Sequence, residues 1–377
     1  MKLCVLAATV LAAVCAASAQ ASSGLRLGIA DGSDAYAEQP SFYSDLGELH
    51  AQLLRVQLHW GGVLGVVRGR PEDATDPSDP AYDWGPYDAI VQSAAKEDVD
   101  VVFTIFGTPS WANGGGPATR APTKASDLRE FAYAAAERYS GSYQATDGST
   151  LPRVRYWTAW NEPNQPIGLT PQWKKVKGRW IIQSARDYAR ICNAVVSGVK
   201  GTLISGERVA CGDTAPRGNN APASSRPTTS PLAFLRAMKA AGAKGFDAFA
   251  HHPYPSAPSE TPINTPRSST AVTFGNLDAL AAELKRLYGS MPIWIDEYGY
   301  QTNPPDKAFG VSPTLQARYL GEAVALARKN PHVTMLLWFL LRDEKRLSGW
   351  QSGLETSTGK HKPSFNEFLR AATASGL

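Results

Sequence analysis

Cysteine is scarce in this chain of 377 residues, with four in all, and methionine is no more frequent. The cysteines are scattered, so no Cys-rich metal cluster is written into the sequence, and no H-E-x-x-H pattern supplies another ligand set. No G-x-G-x-x-G follows a strand pattern. The Gly-rich run from Asn113 to Pro117 lacks the Gly-Lys-Ser/Thr that holds phosphates. Dinucleotide redox chemistry and nucleotide hydrolysis therefore have no signature here. No G-x-S-x-G elbow marks a serine hydrolase. Excess charge of one sign is missing too. Lys and Arg number 38 against 34 Asp and Glu, and their interspersion gives no footprint for nucleic acid. Beyond the N-terminus no apolar run is long enough to span a bilayer.

The N-terminus itself is apolar. Met1 and Lys2 precede a Leu, Val and Ala run from Leu3 to Ala17, and the small residues of "ASAQAS" follow. This pattern predicts a secretory signal over residues 1–21, cleaved after Ala19 or Ala21. A lipidated Cys15 would need a small residue before it, and Val14 is bulky. Cleavage would remove Cys4 and Cys15, place the product outside the cytoplasm, in the periplasm or medium, and leave residues 22–377 as a single domain. Cys192 and Cys211 then remain, near the end of a helix pattern and in the following strand. Export permits a disulfide between them, and two buried free thiols acting as small apolar residues are the alternative.

Short apolar strands alternate with amphipathic helices along the rest of the chain. The strand patterns begin at Leu25, Leu53, Val99, Arg153, Arg208, Phe246, Pro292 and Val333. Most are apolar throughout, as strands covered on both faces of a parallel sheet must be. Between them Leu277, Leu280, Leu284 and Leu287 fall on one helical stripe, and Ser312-Pro313 reads as a cap followed by a first helical residue. Eight strands with intervening helices predict an α/β fold of the (β/α)8 type, a TIM barrel. An open doubly wound sheet is the rival. Long irregular segments follow the fifth, sixth and seventh strands, so all project from the C-terminal face, where they can wall a cleft.

Two carboxylates stand at strand tips on that face. Glu162 follows the fourth strand in "RYWTAWNEPNQP", and Glu297 follows the seventh in "IWIDEYGY". Across a barrel mouth such a pair can face one another over a bound sugar. Glycoside hydrolysis uses that arrangement, with carboxyls about 5 to 5.5 Å apart giving retention through a covalent intermediate. Asp296, next to Glu297, should point the other way by strand alternation and support the barrel.

"WNEPN" after strand four, "HHPY" after strand six, "DEYG" after strand seven and a Trp on strand eight resemble clan A, the retaining TIM-barrel glycosidases. The nearest likeness is to its β-xylosidase and exopolysaccharide-hydrolase relatives of family 39, or to its cellulases. The resemblance implies Glu162 as general acid and then base, shielded by Trp157 and Trp160, and Glu297 as nucleophile. It implies Asn161 on the sugar 2-hydroxyl and Arg55, on strand two, bracing the nucleophile; an outward Arg55 paired with a helix is the other reading. His59 and Trp60 end the same strand; Trp60 is either a sugar platform or rim packing. Only one of the adjacent His251 and His252 can face inward, and His252 matches the clan's position. Without a third ligand at workable spacing they form no metal site. Tyr254 is placed to hydrogen-bond Glu297 or to pack. Trp338 is a floor beneath the sugar or core, and Trp111 and Trp350 sit in Gly-containing loops that can meet ligand. The implied activity is a secreted retaining glycosidase that needs no cofactor and acts on a poly- or oligosaccharide. A barrel that binds carbohydrate without cutting it, or a transglycosylase, remains the alternative.

Overall fold

The computed structural model describes residues 24–37 and 40–374, so the expected export signal over residues 1–21 lies outside the described residues. In chain order the strands are β1 (Arg26–Ala30), β2 (Leu53–His59), β3 (Asp100–Phe106), β4 (Tyr156–Ala159), β5 (Trp173–Val176), β6 (Arg179–Ile182), β7 (Arg208–Thr214), β8 (Ala248–His251), β9 (Ile293–Tyr298) and β10 (Val333–Phe339). All but β5 and β6 close into one parallel barrel in the order β1-β10-β9-β8-β7-β4-β3-β2. Closure excludes the open doubly wound sheet, and helices between the barrel strands complete a (β/α)8 architecture.

The unbroken apolar character of the strands follows from two cores. Ala30, Leu53, Val102, Ala210, Ala248, Ala250, Trp294, Met335 and Leu337 fill the barrel. Their strand neighbours, among them Ile29, Leu54, Phe103, Trp157, Ile295 and Trp338, pack outward against the helices. The many inner alanines leave room for two large rings, Tyr156 and Trp294, which meet edge to face at 5.9 Å. Above this apolar layer the interior turns polar, starting with a 2.6 Å hydrogen bond between the Thr104 and Thr158 hydroxyls.

Helix ends obey their local signals. Ser312 Oγ accepts from the Leu315 amide, and Pro313 opens the helix Pro313–Lys329. In the helix Leu277–Tyr288, Leu277, Leu280 and Leu284 are buried, while Leu287 is only partly covered. β4 starts at Tyr156, three residues later than its pattern, because Arg153 is drawn off to pair with Glu207 at 2.8 Å. The antiparallel hairpin β5–β6 has no counterpart in the sequence reading. Its two turn residues, Lys177 and Gly178, both have positive φ (49° and 80°), the requirement of a tight two-residue hairpin turn. Asn-Gly is the usual signal for that turn; Lys-Gly is a weaker one. No helix among the described residues is long and apolar enough to cross a membrane.

Cys192, on the helix Gln183–Gly201, and Cys211, on β7, are joined by a disulfide with Cα atoms 5.8 Å apart. Both are fully buried. A bridge closing a loop of this length is worth about 3 kcal/mol through the unfolded chain. Replacing both cysteines by alanine should therefore lower the urea midpoint clearly, with an m-value that is equal or higher because the unfolded chain is no longer cross-linked. An unaltered midpoint would mean that the bridge adds nothing to stability.

Candidate active site

The site is assembled around Arg55. Alternation along β2 points Leu53 and Arg55 into the barrel, and Arg55 is almost wholly buried. A buried charge left alone would cost several kcal/mol. Here Nη1 donates to Glu297 Oε2 at 2.9 Å and Nη2 donates to Asn161 Oδ1 at 2.7 Å. Nη2 also reaches Asp213 Oδ1 at 3.4 Å, and Nε lies 3.0 Å from Asp296 Oδ2. Burial alone would lower the guanidinium pKa, but Asp213, Asp296 and Glu297 together hold it above its ordinary value.

Two β-bulges bring the carboxylates in. Between Ile295 and Tyr298 on β9 there are two residues, where β10 has one between Leu336 and Trp338. The extra residue breaks alternation, so Asp296 does not turn away from Glu297 as expected; both converge on Arg55. The same device recurs on β7, where two residues separate Cys211 from Thr214 opposite one on β8. There Gly212 (φ 109°) and Asp213 (φ 47°) take left-handed conformations. A Cβ on Gly212 would sit 2.5 Å from the Phe249 ring, so the bulge depends on that glycine. Asp213 is fully buried. It was not singled out from sequence, although an acid at the C-terminal end of a barrel strand was the available signal.

Glu162 is positioned by backbone geometry of the same kind. Trp160 (φ 72°) and Glu162 (φ 41°) are both left-handed, a costly conformation for such side chains that clusters at functional sites. The turn is held because the Glu162 amide donates to Asp213 O at 2.8 Å and Trp160 Nε1 donates to Gly168 O at 2.8 Å. Gly168 lies so close beneath that a Cβ would fall 2.3 Å from the carbonyl oxygens of Asn161 and Glu162. Asn164 then ties this loop to the one after β7. Its Nδ2 donates to Ala215 O and Thr229 O, and its Oδ1 accepts from the Ala215 amide.

His252 links the two halves. Nδ1 is 3.0 Å from Glu162 Oε1, and Nε2 is 2.7 Å from Asp213 Oδ1 and 3.5 Å from Asp296 Oδ1. Burial opposes its protonation, but Glu297, Asp296 and Asp213 outweigh it and raise its pKa well above the usual range. As an imidazolium it donates on both sides. Burial and the neighbouring Asp296 push Asp213 up to about 6, against the pull of Arg55 and His252. Burial also opposes ionisation of Asp296, yet Arg55 and His252 hold it below the ordinary carboxylate value. His251 turns the other way, with Nδ1 2.8 Å from Thr214 Oγ1 and Nε2 3.0 Å from Val272 O.

Over this cluster opens a cavity of about 1060 Å³. Glu162, Glu297 and Tyr254 line it, and the segments after β7, β8, β9 and β10 supply its walls. Tyr254 donates to Glu297 Oε1 at 2.9 Å, and Trp350 stacks on Tyr254 with centroids 5.9 Å apart. An oxygen of Glu162 and one of Glu297 lie within 4.8 Å.

Several expected contacts are absent. Trp60 is no platform; it is buried, stacked on Phe131 and edge-on to Trp111. Trp338 faces the outer core, donating to Ser352 O at 2.8 Å, and its neighbour Phe339 takes the inward position against Tyr254 and Trp350. His59 and Trp111 do not line the cavity. His59 sits between Tyr36 and Phe106, where burial lowers its pKa to about 4, and Trp111 lies under Arg70. Trp157 and Trp160 do not shield Glu162. Trp157 donates outward to Glu207 Oε2, and His252 is the side chain that meets the carboxyl.

Among the described residues three groups place His and carboxylate atoms within metal-ligand reach: Glu162–His252–Glu297, Asp213–His252–Asp296 and Asp45–Glu355–His361. In each an arginine already pairs with two of the carboxylates or with one of them: Arg55 at the first two and Arg342 at the third.

No protein-family model matches the chain, and neither does any curated protein. Solved structures do. A family 39 glycoside hydrolase from Bacteroides cellulosilyticus WH2 superposes with a TM-score of 0.64 at 18% identity, covering 94% of this chain and 64% of that one. A GH39 β-xylosidase from Caulobacter crescentus gives 0.59 at 19% identity, over 94% and 72% of the two chains. A family 1 β-glucosidase from Thermotoga maritima gives 0.59 at 14%, over 94% and 98%. The likeness is one of fold. The chain spans less than two thirds of the first of these structures.

The raised pKa of Asp213 fixes the sign of one pH effect. A carboxyl that binds its proton more tightly folded than unfolded favours folding below pH 3.8, and that contribution is lost as pH rises through about 6. Asp213→Asn should flatten the fall in urea midpoint between pH 4 and pH 6.5. Equal slopes in variant and wild type would place the titrating group elsewhere.

Proposed function

We propose that the protein is a secreted retaining glycoside hydrolase acting on a poly- or oligosaccharide. The observation that carries this reading is the spacing of Glu162 and Glu297, with oxygens within 4.8 Å at the floor of a large open cavity. That spacing suits attack by one carboxylate on the anomeric carbon. Inverting enzymes need about 6.5 to 9.5 Å to admit a water. The barrel shared with several glycosidase structures supports the same reading. The N-terminal pattern of residues 1–21 supports export.

The surroundings divide the labour. Both oxygens of Glu297 accept a hydrogen bond, one from Arg55 and one from Tyr254, which fixes the carboxylate for attack. Glu162 Oε1 is taken by His252, leaving Oε2 to carry the proton given to the departing glycosidic oxygen. The bond from C1 to that oxygen breaks as the bond from C1 to Glu297 forms. Glu162, now a carboxylate, takes a proton from water as water attacks C1 and releases Glu297. Asn161 Oδ1 is held by Arg55, so its NH2 group is the donor left for the sugar 2-hydroxyl.

A panel of glycans and aryl glycosides tests this. Glu162→Gln and Glu297→Gln should each lower turnover of the cleaved glycan at least about 100-fold. With an activated aryl leaving group, which needs no proton, only Glu162→Gln should regain rate in forming the glycosyl-enzyme. Survival of full activity in both variants, or identical behaviour toward the activated substrate, would refute these roles.

A further inference from the structure

Among the described residues lining the cavity, Arg217 is the one cation, against Glu162, Glu297 and Asp306. Its Nη1 donates to Pro255 O at 2.8 Å, and no carboxylate among the described residues comes within ion-pair distance. Crowding by the protein lowers its pKa, with Glu260 and Glu162 pulling the other way. The wall of the cavity thus carries an exposed guanidinium without a salt bridge, near the carboxyl assigned as proton donor.

The second observation is the hairpin β5–β6. Lys174, Lys175, Lys177 and Arg179 are all exposed, and so is Trp180 at 46%. Lys175 lies opposite Trp180 in the ladder, with its ammonium 6.0 Å from the indole centroid. No Asp or Glu occurs from residue 163 to 186, or from 214 to 246. The whole chain carries a formal excess of only +4, and this hairpin alone holds four cations without an acid. The hairpin is therefore a local concentration of positive charge on a nearly neutral chain. It adjoins the cavity: Trp173 Nε1 donates to the carbonyl of Thr228, a lining residue, at 3.3 Å.

We propose that the glycan taken by this site is acidic, bearing carboxylate or sulfate groups, and that its chain runs from Arg217 outward along the β5–β6 hairpin. This rests on the glycosidase reading above and specifies its substrate. Arg217 meets an anionic group close to the scissile bond on the leaving-group side, since it neighbours Glu162. Farther out the lysines bind successive anions, and the exposed face of Trp180 offers a platform for a sugar ring. That aromatic face and the continuity with the cavity favour a glycan over the other polyanions a basic hairpin attracts.

Binding decides the matter independently of turnover. The full-length Glu162→Gln protein is titrated with polygalacturonate (carboxylate), carrageenan (sulfate), and neutral xylan and galactan, at low salt and at high salt. Duplex DNA and vesicles of anionic phospholipid serve as further probes. One acidic glycan should bind at least tenfold more tightly than the neutral ones. Arg217→Ala, and separately Lys174→Glu/Lys175→Glu/Lys177→Glu, should each weaken it at least tenfold, and high salt should do the same. These side chains are exposed, and circular dichroism and the urea midpoint verify that the variants fold. The proposal is overturned if neutral glycans bind as well, if acidic binding ignores the hairpin substitutions, or if DNA or vesicles bind as tightly through the same lysines. Hairpin-dependent binding of an acidic glycan that wild type never cuts would keep the surface and sink the glycosidase reading instead.

Discussion

Everything at the mouth of this barrel depends on one guanidinium. Arg55 sits where water does not reach, and its cost of burial is met only because Glu297, Asn161, Asp213 and Asp296 arrive from three other strands. The reverse also holds. Asp213 and Asp296 are fully buried, and without Arg55 they would have only His252 to offset them. The cluster is therefore a mutual constraint on strands β2, β4, β7 and β9. It fixes the upper end of the barrel as the alanine and aromatic packing fixes the lower. A planar fork with five donors can serve four acceptors at once; an ammonium in its place would reach fewer of them in fixed directions.

Much of this was legible in the sequence. Strands apolar on both faces announced a parallel barrel, and strand order placed Glu162 and Glu297 at one mouth. Arg55, once turned inward, needed a partner for reasons of solvation alone. Of the two readings open for Tyr254, the hydrogen bond to Glu297 is the one present, and His252, the inward member of its pair, meets Glu162. What stayed hidden depends on departures from regular geometry. Counted from the inward Trp294 and Ala210, strict alternation sends Glu297 and Asp213 away from the site, and only the bulges return them. No rule of composition marks where a parallel strand will bulge, though Gly212 before Asp213 is a trace of it.

The tryptophans show the opposite error. Bulk and proximity in sequence made Trp60, Trp111, Trp157, Trp160 and Trp338 candidates for the cleft, yet each packs elsewhere. Aromatic residues near strand ends are mostly used to join strands to helices in a barrel of this size, because the outer layer is the larger core. Trp350, in a loop and half exposed, is the one of those candidates that reaches the cavity. The basic hairpin was missed for a different reason. Averaged over the chain its charge disappears into near-neutrality, and only its protrusion from the fold isolates it.

The clasp made by Asn164 has a consequence for how such a protein can change. It holds Ala215 and Thr229, the two ends of the segment after β7, to the turn that carries Glu162. The chain between them is thus a closed loop with fixed anchors. Lengthening a loop so anchored costs little, about 0.6 kcal/mol for each doubling. Arg217 lies two residues past one anchor, so it keeps its place while the rest of the segment is free to grow, shrink or alter its charge. Substrate preference can drift on that span without disturbing the carboxylates, because selection on chemistry and selection on recognition act on opposite sides of the same asparagine.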